Sequence, residues 1–477
     1  MPYIQFLGAA GTVTGSKHLI NTAAPGQTTG GFQALIDCGL FQGLKEWRER
    51  NWQDTPIPAR EIDAVILTHA HLDHSGWIPR LIQEGFAGPI YATPATIDLC
   101  SILLPDSGHL QEEEADFHNQ NKSSKHSPAL PLYTREQAEQ SLSRFQPVGF
   151  GETKTLAPGL SFRFHRAAHI LGSAMVELTL ESPTGPRTLL FTGDVGRVHD
   201  SETAPGKVVV SGPETVENVD LMVMESTYGN RLHPTSDPRP ELAKLVRTAV
   251  ERGGTVVVPA FAVERTQKFL FMLKELMEAG EIPRVPVHAD SPMAIKAVEV
   301  FLKYSEEFSP HTRELIARFG SPLEWQDFFF DRTTEESKKL NDSAYPAVII
   351  SSSGMATGGR VLHHLMHRLP DPRNLVLFIG FQAPGTRGAI VKSGAASVRI
   401  FSQEIPIRAQ VAALEQFSDH ADTPELLEWL GTFKKAPQVA YLVHGEPAAS
   451  SRLRLAMTSA LGWKVEVAEW MQKVEVR

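Results

Sequence analysis

The chain has 477 residues, of which 42% are hydrophobic and 8% aromatic, values of a globular protein long enough for two domains of moderate size. A formal net charge of −9 excludes a broadly basic nucleic-acid-binding surface, though not a local cleft around bound dications, whose own charge attracts a phosphodiester. Cys38 and Cys100 are the only cysteines, which excludes a disulfide framework and a thiolate metal site, so any metal is expected on nitrogen and oxygen ligands.

The opening M-P-Y-I-Q-F-L-G-A-A-G has no basic leader, and no apolar run approaches the ~18 residues of a membrane span, so a soluble cytoplasmic protein without membrane contact is expected. Strand-like runs Y-I-Q-F-L, H-L-I-N-T and F-Q-A-L-I-D-C-G, separated by Gly and Thr turns, predict an antiparallel start. A strand over Ile62–Leu67 follows, then a helix through H-S-G-W-I-P-R-L-I-Q-E-G ended by Gly85. Residues 101–146 are polar, with Glu112-Glu113-Glu114 and N-Q-N-K-S-S-K-H-S-P, and read as a surface excursion in which His109, His118 and His126 are solvated. Strands resume at Leu160–His165, Ala174–Leu180 and Thr188–Thr192.

From Leu221 onward strands and helices alternate, with helices over 240–252, 263–279 and 359–369, the pattern of a parallel α/β sheet. The end returns to the first style with R-A-Q-V-A-A-L, a loop carrying F-S-D-H, a helix Thr423–Phe433, the strand V-A-Y-L-V-H-G and a helix near 449–461. The sequence shows no internal repeat and no low-complexity tract.

Chemistry concentrates in T-H-A-H-L-D-H-S-G, where His69, His71, Asp73 and His74 follow the apolar run Ala64-Val65-Ile66-Leu67. Imidazole and carboxylate suit Zn²⁺ or Mn²⁺, and ionisable groups this dense behind a buried strand are seldom left without a metal or a partner. Alternation along an extended segment sends His69 and His71 to one side, while Asp73 and His74 break the alternation and are free to serve a second ion. Two such ions about 3.5–4 Å apart lower the pKa of water and steady an in-line displacement at phosphorus, so hydrolysis is the expected chemistry. Other strand ends carry the same residue types: His169 in A-A-H-I-L-G-S-A, Asp194 in L-L-F-T-G-D-V-G and His444 in Y-L-V-H-G-E. Each alone could be a structural residue; together with the first cluster they complete two coordination shells.

Over nearly its whole length the chain resembles the metallo-β-lactamase-fold hydrolases, and more narrowly their β-CASP nuclease branch, which includes the pre-mRNA 3′-end endonuclease and its bacterial and archaeal relatives. The resemblance implies an α/β fold: a metallo-β-lactamase αββα sandwich over 1–228 and 410–477, with an inserted α/β β-CASP domain of mainly parallel sheet over 229–409. It further implies that Asp37 orients a histidine ligand, that His69, His71 and His169 bind one metal, that Asp73, His74 and His444 bind the other, and that Asp194 bridges the pair. Glu225 in M-E-S-T-Y-G and His420 in F-S-D-H-A-D match the motifs whose histidine is the proposed general acid, supported by the carboxylate. That pairing makes independent sense, because a histidine beside a carboxylate holds its proton near neutral pH. A long stretch with its own α/β pattern separates Asp194 from His444, as an inserted domain requires.

For the substrate, the loop S-S-S-G-M-A-T-G-G-R places Ser352, Ser353, Gly354 and Arg360 between a strand and a helix, where free N–H groups suit phosphate. It lacks the Lys-Ser/Thr of a Walker A loop, which argues against nucleotide triphosphates. By resemblance this loop lies at the interdomain cleft, and Ser418 is similar to a phosphate-binding serine; Arg265 could clamp another phosphate. Asp419 departs from the pattern, since bacterial relatives commonly carry glycine there. His444, where DNA-directed members tend to carry valine, favours RNA. The resulting expectation is a ribonuclease that cuts single-stranded RNA in the cleft between the two domains, with two divalent ions, Zn²⁺ ahead of Mn²⁺. Endonuclease or 5′-to-3′ exonuclease mode and a homodimer are left open. A DNA nuclease of repair type is the competing enzyme, and a non-catalytic scaffold is disfavoured by the full ligand set.

Overall fold

The computed structural model describes the chain apart from residues 1, 23–30, 123–125, 183–184, 199–211, 235, 261–262, 264, 321–324, 344, 381, 383–384 and 477. The chain folds as two units: Met1–His199, Ser211–Leu232 and His420–Arg477 make up the first, and the second contains His233–Asp419.

The first unit holds two seven-stranded sheets. One runs in the order Lys473–Glu475, Tyr3–Phe6, His18–Asn21, Gln33–Ile36, Ala64–Ile66, Ile90–Ala92, Phe145–Pro147, antiparallel at its start and parallel from Gln33–Ile36 onward. The other runs Val465–Val467, Val439–Val443, Leu221–Glu225, Arg187–Phe191, Ala174–Leu180, Leu160–Arg166, Thr153–Ala157. Period-two alternation turns one face of each sheet inward, so that Ile4, Phe6, Ile36 and Ile66 meet Phe162, Phe164, Val176 and Phe191 in one apolar core. The outer face of the second sheet is also buried: Leu190, Met222 and Leu442 pack with Leu426, Trp429, Leu453 and Met457 of helices Thr423–Gly431 and Pro447–Leu461. Helix, sheet, sheet and helix thus form the layers of the expected sandwich.

The second unit has one six-stranded sheet, ordered Phe328–Phe330, Val287–Ala289, Val348–Ser351, Val256–Pro259, Leu375–Phe378, Gln410–Ala413 and parallel throughout. Its central strands, V-V-V-P, V-I-I-S and L-V-L-F, are apolar without alternation because helices cover both faces. Here β-branched residues and helix formers sort by segment, which is why the succession of strand and helix was readable.

Three sequence expectations need correction. Residues 101–146 are not loop throughout: helix Pro94–Gln120 runs through the first part and helix Arg135–Ser141 follows, while the Ser-Ser-Lys of 123–125 lies outside the described residues. Glu, Gln and Ala favour helix, Thr93 caps the start, and Ile102, Leu103, Leu104 and Ala115 are buried beneath the polar face. His109 and His118 are indeed solvent-facing, paired with Glu113 and Glu114 one turn away. The helix after the metal motif is split into Leu72–Ser75 and Ile78–Gln83, since Pro79 offers no N–H to continue the earlier turn. Strand Gln410–Ala413 pairs with Leu375–Phe378 in the second unit, so the first unit resumes at His420 and not at residue 410.

On the second sheet His165 sits between two carboxylates, with Nε2 at 2.5 Å from Glu177 and Nδ1 at 3.4 Å from Glu214. Burial alone would lower the histidine pKa, but the bonds to Glu177 and Glu214 push it up to about 9 from 6.5. The same bonds pull both glutamates below 4.5. A raised histidine pKa stabilises fully below 6.5 and fades as pH climbs through about 9; the depressed glutamates fail in acid. His165→Gln should therefore lower stability by about 1 kcal/mol near pH 6, a figure discounted because Glu214 is nearly half exposed, with the deficit gone by about pH 10. Urea midpoints of both proteins across that range check this; a gap independent of pH would refute it.

Candidate metal centre

The site is assembled at the carboxyl ends of strands in the first unit. Asp37 follows Gln33–Ile36, His69 follows Ala64–Ile66, Asp194 follows Arg187–Phe191, Glu225 ends its strand, and His444 follows Val439–Val443. Within each sheet these site-bearing strands run parallel to one another, so their ends come level. Sharp turns then aim the side chains: Asp37 (φ 62°), Ala168 (φ 57°) and His444 (φ 47°) are left-handed, a cost of about 1–3 kcal/mol each that persists only where the surroundings fix it. Gly39 allows the closest approach, because a Cβ there would lie 1.6 Å from the carbonyl oxygen of Asp73.

Two groups of donor atoms converge, each within 4.8 Å: His69, His71, His169 and Asp194 form one, and Asp73, His74 and His444 the other. In the first, His71 Nδ1 lies 3.1 Å from His69 Nε2 and 3.2 Å from His169 Nε2, and Asp194 Oδ2 is 3.6 Å from both Nε2 atoms. In the second, His74 Nε2 and His444 Nε2 are 3.2 Å apart, and Asp73 Oδ2 is 3.5 Å from His444 Nε2. The other oxygen of Asp194, Oδ1, faces His74 Nε2 at 3.3 Å, so one carboxylate reaches both groups. That Oδ1 is buried without a well-formed hydrogen bond. Imidazole edges facing one another around an under-satisfied buried carboxylate fit cations between them; nitrogen and oxygen donors at these spacings suit borderline divalent ions.

Electrostatics agree with that donor set. Burial would raise the Asp73 pKa, yet its hydrogen bond with His444 and the charge of His74 hold it at about 2. Burial opposes ionisation of Asp194 too, but His444 and His74 keep it well below the usual carboxylate range. His69 is pushed well below the usual histidine value by burial and then by His74. Burial would lower His74 as well, but Asp194 and Asp37 raise it well above that value.

Asp37 is 1% exposed and accepts from His74 Nδ1 at 2.7 Å, which leaves His74 Nε2 for the site. Glu225 Oε1 accepts the Val195 N–H at 2.5 Å and faces His420 Nδ1 at 3.2 Å, while Oε2 takes the Thr227 N–H at 3.3 Å. The carboxylate is thereby fixed and the imidazole ring held, its centroid 4.5 Å from that of His169. Thus all of the sequence-predicted metal residues, with Asp37, Glu225 and His420, come together in one unit.

The phosphate-binding candidates belong to the second unit and are largely turned inward. Ser352 Oγ lies 3.1 Å from Ser291 Oγ, Ser353 Oγ accepts the Thr357 N–H at 2.9 Å, and the Gly354 carbonyl takes Gln382 Nε2 at 2.9 Å. Arg360 is held by Asp290 at 2.7 Å and by the carbonyls of Asp331 and Arg332. Arg265 lies 3.6 Å from Asp419, and Lys268 donates to the same carboxylate at 2.8 Å, so Asp419 is a buried counter-charge. Ser418 is fully buried, and its hydroxyl has no hydrogen-bond partner among the described residues.

Sequence reasoning overlooked Thr68, Thr227 and Tyr228. Thr227 Oγ1 lies 3.2 Å from His444 Nδ1, and the Tyr228 ring packs edge-on against His420. Their signal was adjacency, since each belongs to a motif already singled out for its ionisable members.

Stripped of cations, this cluster must keep imidazoles and carboxylates buried on their own hydrogen bonds. Dialysis against EDTA should cost the first unit about 3 kcal/mol relative to protein in a hundredfold excess of Zn²⁺ over Kd, and Zn²⁺ should restore it. Differential scanning calorimetry checks this, and a Tm indifferent to EDTA and Zn²⁺ would exclude a structural cation.

Comparison with known proteins places the geometry in a family. The metallo-β-lactamase superfamily model matches residues 27–98, the Beta-Casp domain 266–390, and the Zn-dependent metallo-hydrolase RNA specificity domain 404–468. The chain is 37% identical over 471 residues to Ribonuclease TTHA0252 of Thermus thermophilus, covering 98% of this chain and 99% of that one. It is 32% identical over 452 residues to Transcription termination factor FttA of Methanocaldococcus jannaschii, covering 93% and 67%. A crystal structure of a protein of unknown function from Enterococcus faecalis V583 aligns over 99% of both chains with a TM-score of 0.51 at 15% identity, a likeness of fold alone. Among the described residues no helix is long and apolar enough to cross a membrane. The chain belongs to the β-CASP family of the metallo-β-lactamase superfamily, a family of metal-dependent hydrolases.

Proposed function

We propose that the protein is a two-metal ribonuclease that hydrolyses phosphodiester bonds of single-stranded RNA in the cytoplasm. The observation that carries this reading is the pair of converging ligand sets sharing Asp194, with the Glu225–His420 pair beside them. His69, His71 and His169 would hold one divalent ion, Zn²⁺ ahead of Mn²⁺, and Asp73, His74 and His444 the other. Such ions, when bound, polarise a phosphoryl oxygen and lower the pKa of water.

The chain's own groups supply the rest. Asp194 fixes the spacing of the two ligand sets through its two oxygens. Glu225 Oε1 accepts a hydrogen bond from His420 Nδ1–H, so the ring's other nitrogen is the one able to hand a proton to the leaving oxygen. Burial of Glu225 at 1% exposed removes competing water from that bond, while His420 keeps 12% of its side chain accessible. RNA as the polymer is supported by the ribonuclease and termination-factor relatives and by the RNA specificity domain match. Inward-facing imidazoles recessed in this way favour a single strand, whose phosphates reach deeper than those of a duplex.

The test is cleavage of labelled RNA and of the same sequence as DNA with Zn²⁺ or Mn²⁺ supplied. Asp73→Ala should abolish RNA cleavage, and His420→Ala should lower kcat about 10²–10⁴-fold with little change in KM. Product lengths separate internal cuts from 5′-end degradation. Wild-type rates in Asp73→Ala would defeat the two-metal reading, and preference for DNA would defeat the RNA reading.

A further inference from the structure

Thr68 stands directly before the first metal-motif histidine and is 1% exposed. Its hydroxyl lies 3.0 Å from Asp37 Oδ2 and 3.1 Å from His69 Nδ1. An ionised carboxylate only accepts, so the single hydroxyl proton goes to Asp37. The His69 contact must then run the other way, with Nδ1–H donating to the threonine oxygen. That fixes the tautomer: His69 Nε2 is left bare, and it is the nitrogen that faces His71 Nδ1 and Asp194.

The same carboxylate oxygen of Asp37 also accepts from His74 Nδ1 at 2.7 Å, and Asp37 Oδ1 accepts the Thr68 backbone N–H at 2.8 Å. One carboxylate therefore orients a histidine of each ligand set, His74 by direct contact and His69 through the Thr68 hydroxyl. Thr68 has a second contact of consequence. A Cβ on Gly193 would lie 2.8 Å from the Thr68 Cβ, so the threonine side chain packs against the residue that immediately precedes the shared ligand Asp194.

We propose that Thr68 is a positioning residue specific to one of the two metal subsites: its hydroxyl relays the Asp37 carboxylate to His69 and sets the affinity of the His69–His71–His169 ion. This inference rests on the two-metal reading and deepens it. Without the hydroxyl, the His69 Nδ1–H faces an apolar group in a dry interior, and the ring loses the bond that holds its plane and tautomer.

The experiment measures Zn²⁺ stoichiometry and affinity against a competing chelator, with no dependence on turnover. Thr68→Val is the isosteric probe, keeping the contact with Gly193 while removing the hydroxyl; Thr68→Ser keeps the hydroxyl and removes the methyl. In an Asp73→Ala background, which weakens the other ligand set, Thr68→Val should loosen the remaining Zn²⁺ about 10–100-fold, and Thr68→Ser should stay within about 3-fold of Thr68. In a His169→Ala background, where the remaining ion sits on Asp73, His74 and His444, Thr68→Val should change affinity by less than about 3-fold. Equal loss in both backgrounds, no loss in either, or equal loss for Ser and Val would overturn the relay. Wild-type protein that binds fewer than two Zn²⁺ ions would instead defeat the two-metal reading itself, so the two failures are told apart by the wild-type stoichiometry.

Discussion

The buried carboxylate of Asp37 is the constraint on which the candidate metal centre depends. Leaving such a charge without partners in a dry interior costs several kcal/mol, and here Thr68, through N–H and hydroxyl, and His74 all donate to it. Satisfying it dictates a left-handed turn after strand Gln33–Ile36, a neighbouring parallel strand whose end carries Thr68 and His69, and a short helix that returns His74. Gly39 must follow, because only a residue without Cβ lets that turn lie against the backbone of Asp73. The sheet register and the ligand geometry are thus two readings of one hydrogen-bond pattern.

The second unit applies the same logic to other carboxylates. Asp290 is completely buried and receives Arg360, His364 at 2.6 Å and Ser337 at 2.6 Å. Asp419 is met by Lys268 and Arg265. Arg360 and Arg265, the cations expected to grip phosphate, are engaged within the fold, where they face the buried carboxylates of Asp290 and Asp419.

This contrast shows what could be read from the chain and why. His69, His71, Asp73, His74, His169, Asp194 and His444 were legible because ligand chemistry restricts residue type and strand ends restrict place, so type and place together identify them. The two-layer sandwich came from the family resemblance, whereas the parallel insert was legible from the alternation of apolar strands with helices. Thr68 was not, since a hydroxyl has no distinguishing chemistry until its neighbours are known. The true partners of Arg360 and Arg265 were not, because an arginine beside a glycine-rich loop or on a helix reads as a phosphate ligand unless the buried acid it answers, Asp290 or Asp419, can be located in space. Helix Pro94–Gln120 was missed because its polar face hid a buried one and because Pro105 interrupts the pattern. The change of unit fell at His420 because strand Gln410–Ala413 follows its hydrogen-bond partner, whatever its resemblance to the first unit's style.

The first unit is discontinuous, and strand Lys473–Glu475 closes its first sheet against Tyr3–Phe6. On a ribosome, therefore, the second unit is complete before His420 and His444 have been made. A nascent chain carries His69, His71, Asp73 and His74 long before it carries His420 and His444. Order of synthesis itself withholds the assembled cluster, since a translation product that stops short of His420 lacks both His420 and His444.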